Sequence, residues 1–244
     1  MALSNILRRS WRRIFSTVSC NAPTFFEPSF VSQLRITEIF YSLQGEARSV
    51  GIPTVFVRLT GCPLRCQYCD TEYAFSGGEL MALDSILAQI RAFNCEYVCV
   101  TGGEPLAQSG CNALLQRLCD DGFRVSLETS GAMSIEHTPT GVSRVVDIKT
   151  PDSAESHRNL WGNLEFLTKH DQLKFVICSR DDYEWARFKL DEFSLKSRVS
   201  DVLFSPSHHD LSATDLANWI ITDRLPVRFQ MQLHKVLWND EPGR

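Results

Sequence analysis

Two hydrophobic periodicities take turns along this chain. Residues 36–43 and 55–59 are rich in β-branched and aromatic side chains and predict strands. Leu83, Ile86, Leu87, Ile90 and Phe93 then fall at helical spacing. Residues 97–101 predict a short buried strand that runs into Gly102-Gly103. A helix follows over 112–121, carrying Leu114, Leu115 and Leu118, with Gly122 as its stop. Strands are predicted at 124–128 and 144–148, a helix at 159–168, a strand at 173–178 and a helix at 181–193. A short strand at 202–204, a helix at 210–221 and a last strand at 227–232 complete the series. Repeated β-then-α units predict an α/β fold, a mostly parallel sheet with outer helices. A full (β/α) barrel takes about 250 residues, and the helices are too few for eight units. A partial TIM-like barrel is the expected architecture.

Composition narrows the class. At 244 residues and 43% hydrophobic, the chain is too apolar for a disordered protein and long enough for a full core. Gly (13) and Pro (10) are too few for collagen-like or low-complexity sequence. No run approaches the roughly 18 apolar residues of a membrane span. The net charge of −4 is unevenly placed. Residues 1–26 hold Arg8, Arg9, Arg12 and Arg13 and no acid, leaving 21 basic against 29 acidic residues, a net −8, over 27–244. That acidic body argues against a nucleic-acid surface. The leader places Leu3, Ile6, Leu7, Trp11, Ile14 and Phe15 on roughly one helical face, a transit-peptide character. An unstructured extension, or a start codon assigned too far upstream, is the favoured reading. Residues 1–32 are therefore expected to be a disordered or targeting extension, and 33–244 the catalytic domain.

In such sheets ligands sit beyond the carboxyl ends of the strands. Segments 61–71, 101–105, 128–131 and 149–151 then share one rim. Three of the nine cysteines, Cys62, Cys66 and Cys69, lie within eight residues of that rim. Three thiolates so close repel unless a cation neutralises them, and a disulfide leaves one over. Structural zinc wants four ligands, and no fourth Cys or His stands at zinc-finger spacing. An iron–sulfur cluster remains, with one iron left open. Cys95, Cys99, Cys111, Cys119 and Cys178 sit singly in apolar segments, where Cys packs as a small hydrophobe. Cys20, in the leader, has no assignable role.

The Cys-x3-Cys-x2-Cys spacing, with Tyr68 before the last Cys, resembles the radical S-adenosylmethionine superfamily, as does Gly102-Gly-Glu-Pro105. The flanking segments 38–46, 51–62, 69–71, 100–105, 128–131, 147–151 and 229–239 resemble the 7-carboxy-7-deazaguanine synthase family. That resemblance covers about residues 34–244. It implies conversion of 6-carboxy-5,6,7,8-tetrahydropterin to 7-carboxy-7-deazaguanine with loss of ammonia, toward queuosine. It also implies a 4Fe-4S cluster, S-adenosylmethionine used catalytically, Mg2+, an electron donor such as flavodoxin, and a homodimer. A reducing, cytoplasmic setting follows, or a mitochondrial one if the leader is a transit peptide. Neither nucleic acid nor membrane is an expected partner.

Carried over residue by residue, the resemblance puts Leu43, Gln44, Gly45, Arg58 and Thr101 on the substrate. A Gln offers donor and acceptor to a pterin edge, and a planar guanidinium grips a carboxylate. Cys62, Cys66 and Cys69 hold the cluster and Thr71 the magnesium, with Asp70 beside it. Gly103, Glu104, Ser130, Asp147, Ile148 and Lys149 face adenosylmethionine, with Gly103 expected to admit the methionine moiety and Glu104 to meet its ammonium. Some relatives read Ser-Pro-Lys where this chain has Asp147-Ile-Lys149, and an Asp there can take a ribose hydroxyl. His208, His209, His234, Gln232 and Ser205-Pro206 are weaker rim candidates, and Trp161 and Trp185 are expected to pack. Two other functions share some of these features: a glycyl-radical-enzyme activase, and a metal-binding module without catalysis.

Overall fold

The computed structural model describes residues 33–239, Glu241 and Gly243, so the expectations for residues 1–32 lie outside the described residues. Strands β1 (Gln33–Leu43) and β2 (Pro53–Leu59) form an antiparallel hairpin, and β3 (Glu79–Ala82) pairs antiparallel on the outer side of β1. From β2 the sheet runs parallel through β4 (Tyr97–Gly102), β5 (Arg124–Thr129), β6 (Ser143–Asp147), β7 (Gln172–Ile177), β8 (Asp201–Pro206) and β9 (Arg228–Phe229). Its order is β3-β1-β2-β4-β5-β6-β7-β8-β9, and it does not close. The partial barrel predicted from periodicity is therefore the observed architecture.

Alternation along each strand divides the side chains between two faces. The outer face buries Val55, Val57, Leu59, Val98, Val100 and Leu127 against α1 (Leu83–Ala92) and α2 (Cys111–Asp120). Leu173, Phe175, Ile177 and Phe204 pack outward against α3 (Arg180–Glu192) and α5 (Ala213–Thr222). A short α4 (Leu195–Arg198) and a C-terminal α6 (Leu233–Trp238) complete the helices. Gly122, at φ +84°, stops α2 as expected: its N–H reaches Cys119 O at 3.0 Å and Phe123 N–H reaches Leu118 O at 3.1 Å. None of the described helices is long and apolar enough to cross a membrane.

The inner, concave face is filled partly by the chain itself. The loop after β1 folds inward, packing Ala47 on Val145 and Leu203. Gln230 Oε1 accepts from Ala47 N and Gln172 Oε1 from Arg48 N, both at 2.7 Å. This loop takes up part of the concave face, and its residues Gln44, Gly45 and Glu46 line a cavity there.

Three expectations need correction, and two short elements add to them. Residues 159–168 hold one 3-10 turn, Trp161–Glu165, preceded by another at Ser156–Arg158, rather than a helix. Asn159 is spent on both backbone groups of Lys149, and Asn163 bridges Ile135 N to Gly131 O and Met133 O. Such side-chain bonds compete with helical geometry. The last strand shrinks to Arg228–Phe229 and α6 follows it, while β3, a four-residue edge strand, carried no clear alternation. The predicted helix at 210–221 starts only at Ala213.

Candidate active site

The loop leaving β2 carries the three thiols. It is pinned from several sides: Ala74 O accepts from Gly61 N at 2.7 Å, Glu155 Oε1 from Arg65 N at 2.6 Å and Ser153 O from Gln67 N at 3.2 Å. Leu64, 1% exposed, anchors it to the body. Cys62, Cys66 and Cys69 are half-buried and line a single cavity of about 560 Å³, within the usual size of a cofactor site. Burial pushes all three thiols up, Cys66 to about 11, while the nearby Lys149 ammonium works the other way. Loading with metal must therefore release protons. Among the described residues, no three His, Cys, Asp or Glu side chains converge on one point as a single-ion site requires. A row of soft thiols bordering a large cavity suits an iron–sulfur cluster instead.

Gly102 and Gly103 end β4 directly behind this loop. A Cβ on Gly102 would stand 2.3 Å from Leu59 O, and one on Gly103 2.5 Å from Gly61 O and 2.7 Å from Cys62 Cβ. The glycine at 103 is therefore needed first to seat the cysteine loop, a reason different from the expected approach of a methionine moiety. Gly103→Ala is expected to displace Cys62 at an overpacking cost of about 1–3 kcal/mol. Iron bound per chain after anaerobic reconstitution should fall while the far-ultraviolet circular dichroism stays unchanged.

Glu104 also differs from expectation. It is fully buried, and its carboxylate accepts hydrogen bonds from Leu106 N at 2.9 Å, Ser130 N at 2.7 Å, and the Thr129 and Ser130 hydroxyls. With its lone pairs so occupied, it ties the β4 and β5 rims together and does not line the cavity. Ile148 points into the outer core. Asp147 and Lys149 do face the cavity, joined at 2.9 Å from Nζ to Oδ2. Asp147 Oδ1 and the Tyr68 hydroxyl are buried there without a hydrogen-bond partner among the described residues. Buried polar atoms of that kind call for a ligand.

Beside this cavity lies a second one of about 120 Å³, sharing Glu46, Arg58, Thr71, Thr101 and Glu128 with it. Glu38 Oε1 accepts from Arg58 Nε at 2.7 Å and from the Tyr73 hydroxyl at 2.8 Å, so the guanidinium is held across β1 and β2. Glu128 accepts from Gln44 Nε2 at 3.2 Å and from Thr101 Oγ1 at 3.3 Å. Burial and the Glu46 charge push Glu128 up. Partial burial pushes Asp70 up too, but Lys235 Nζ at 2.8 Å outweighs it and holds the carboxylate well below its usual range. Thr71 Oγ1 donates to Asp70 Oδ1 at 2.8 Å, which leaves the hydroxyl's lone pairs for another partner. Gly45 lies under α6: a Cβ there would meet His234 Nδ1 at 2.1 Å, and Gly45 O accepts from Leu233 N at 2.9 Å.

Residues 56–139 match the Radical SAM superfamily. The 7-carboxy-7-deazaguanine synthase of Koribacter versatilis is 43% identical over 222 residues, 85% of this chain and 98% of that protein. The same-named enzyme of Chlorobaculum tepidum is 41% identical over 85% of this chain and 96% of its own length. The chain belongs to the 7-carboxy-7-deazaguanine synthase family. The crystal structure of QueE from Escherichia coli superposes with a TM-score of 0.69 at 25% identity, covering 83% of this chain and 95% of that one. As a 7-carboxy-7-deazaguanine synthase family member it is a radical SAM enzyme, with a 4Fe-4S cluster and S-adenosylmethionine as its cofactors. The activase and metal-module alternatives are set aside.

For this synthase-family chain, the fold gathers Leu43, Gln44, Gly45, Arg58, Thr71 and Thr101 around the smaller cavity. It gathers Cys62, Cys66, Cys69, Gly103, Ser130, Asp147 and Lys149 around the larger. Gln232 and His234 also face the larger cavity, with His208 and His209 at its edge. Sequence reasoning missed Glu46, Glu128 and Lys174. A signal existed: each is a charged residue at an inward position, and Lys174 interrupts the apolar run of β7 from Leu173 to Ile177.

Proposed function

We infer that this chain converts 6-carboxy-5,6,7,8-tetrahydropterin to 7-carboxy-7-deazaguanine with loss of ammonia, on the path to queuosine and other 7-deazapurines, and that residues 33–244 are its catalytic body. The observation that carries the reading is one cleft in which Arg58, Gln44, Thr101 and Glu128 stand beside the cysteine loop. Arg58 supplies a planar cation for the substrate carboxylate, oriented by Glu38. Gln44, Thr101 and Glu128 offer mixed donors and acceptors to the pterin edge. Cys62, Cys66 and Cys69 hold the cluster. Gly103, Ser130, Asp147 and Lys149 hold adenosylmethionine, the unpaired Asp147 Oδ1 accepting from a ribose hydroxyl. Bound together, those cofactors supply a hydrogen-abstracting radical to whatever lies in the cleft. Residues of α6 and of the inward loop, His234, Lys235, Gly45 and Glu46, wall the cleft on that side. A one-electron donor such as flavodoxin, a homodimer and a reducing cytoplasmic setting belong to the same reading.

The test is anaerobic reconstitution followed by turnover with the carboxypterin, adenosylmethionine, magnesium and a reductant. Release of 7-carboxy-7-deazaguanine is expected. Deoxyadenosine release without any deazaguanine would reject this substrate while keeping the superfamily chemistry. Magnesium is assigned to Thr71, whose hydroxyl already donates to Asp70 and can offer oxygen lone pairs to a hard cation. Thr71→Ala is expected to weaken magnesium stimulation about 10- to 100-fold with iron content unchanged, as read from the magnesium dependence of turnover.

A further inference from the structure

One ammonium on the concave face has no part in the carboxypterin reading so far. Lys174 projects from β7 into the larger cavity with its side chain 13% exposed. Its neighbours Leu173 and Phe175 point the other way into the outer core. Three carboxyl groups surround its ammonium: Glu46 from the loop after β1, Glu128 from β5 and Asp147 from β6. The direct ion pair is with Glu46. Glu46 also accepts from Gln232 Nε2 at 2.9 Å and Gln230 Nε2 at 3.3 Å. Gln44 continues the chain: its Oε1 accepts from Glu46 N at 3.2 Å, and its Nε2 donates to Glu128 at 3.2 Å. A lysine buried at such a position carries a desolvation cost that packing does not offset. What it holds is the reason for its presence.

We propose that Lys174 is a positioning residue for substrate recognition: its ion pair fixes the Glu46 carboxylate, and through Gln44 the Glu128 carboxyl, as acceptors for the N–H groups of a bound pterin. The inference rests on the carboxypterin reading. The carboxypterin presents a carboxylate at one end and an aminopyrimidine row of N–H donors at the other. Arg58 suits the first, and acceptors across the cleft suit the second. Burial pushes Glu46 up, and Lys174 together with Gln232 brings it back below the usual range. Arg58 from β2, Asp147 from β6, Asp70 of the cysteine loop, and His234 and Lys235 of α6 are the other charged or titratable groups facing this cluster. Without Lys174, burial acts on Glu46 with less to oppose it and favours its protonated form, which a rising pH reverses.

Binding of the carboxypterin to the reconstituted enzyme, measured without reductant across about pH 6 to 9, tests this directly. Lys174→Met is expected to raise Kd at least about tenfold near neutrality, with the loss shrinking toward high pH. Lys174→Arg should keep most of the affinity. In a Glu46→Gln background there is no Glu46 charge for the lysine to hold, and there Lys174→Met should change Kd no further. Unchanged affinity in Lys174→Met, a loss equal at every pH, or a further loss in the Glu46→Gln background would each overturn the proposal. That background also serves if Lys174→Met alone does not fold. If wild-type enzyme binds no carboxypterin, the functional reading and this inference fall together; if it binds and Lys174→Met binds equally, only the positioning role falls.

Discussion

Cys66→Ala is expected to leave a folded protein that assembles no cluster and performs no turnover at all. Cys66 is the middle of the three thiols, half-buried on the wall of the 560 Å³ cavity. None of the three core clusters includes it, so its loss removes little packing. What it removes is one of three cysteine ligands for a cluster that cysteine thiolates hold. The remaining cysteines among the described residues pack on other walls or in the outer core and do not line this cavity. Iron analysis after anaerobic reconstitution should show the loss, and both deoxyadenosine and deazaguanine should be absent from the assay. Retained turnover in the variant would refute the assignment of the cysteine loop.

The largest expected effect on stability lies far from the cavity. Asp171→Ala is expected to destabilise the apoprotein by about 3–5 kcal/mol, a large share of the roughly 5–15 kcal/mol that hold an ordinary domain together. Arg144 grips Asp171 with Nε at 2.9 Å and Nη2 at 2.6 Å, and its backbone N–H adds a third bond at 3.0 Å. The carboxylate also accepts from Thr168 N at 2.8 Å and the Thr168 hydroxyl at 2.9 Å. With side chains 9% and 0% exposed, removing the acid strands a buried guanidinium. Burial pushes Asp171 up, but the bonds from Arg144 and Thr168 outweigh it and hold the carboxyl below its usual range. Its stabilising contribution is therefore complete above the unfolded-state pKa and is lost as pH falls through the lower folded value. Urea titration of the apoprotein at neutral and acid pH checks both points. Asp171→Leu with Arg144→Met, which removes both charges, should recover much of the loss; equal destabilisation in the pair would show that packing, not the unpaired charge, was the cause.

Much of the catalytic rim is legible in the sequence. Arg58 and Gly102 close their strands, and the three cysteines and Gly103 follow those strand ends, so periodicity and rim rules place them together. Two of the reasons are not legible there. Gly103 looks like a residue that admits a ligand, yet its missing Cβ first makes room for Gly61 and Cys62. Glu104 looks like a ligand for an ammonium, yet it satisfies the backbone N–H of Leu106 and the backbone and hydroxyl donors at the end of the next strand. Both depend on what the neighbouring strand end presents, and strand neighbours are set by sheet order rather than by chain order.

The sequence by itself determined the alternation of strands and helices, the open half-barrel and the cysteine loop. These rest on local periodicity and on short spacings, which survive without knowledge of distant contacts. Only the tertiary structure decided how the concave face is charged. Glu46, Glu128, Lys174 and Gln232 are separated by up to 186 residues and meet because the β1 loop turns inward while β5 and β7 point their polar positions at it. A buried charge is tolerable only beside its partners. Which charges are partners is a question of three-dimensional proximity, and no pattern within a single strand can answer it.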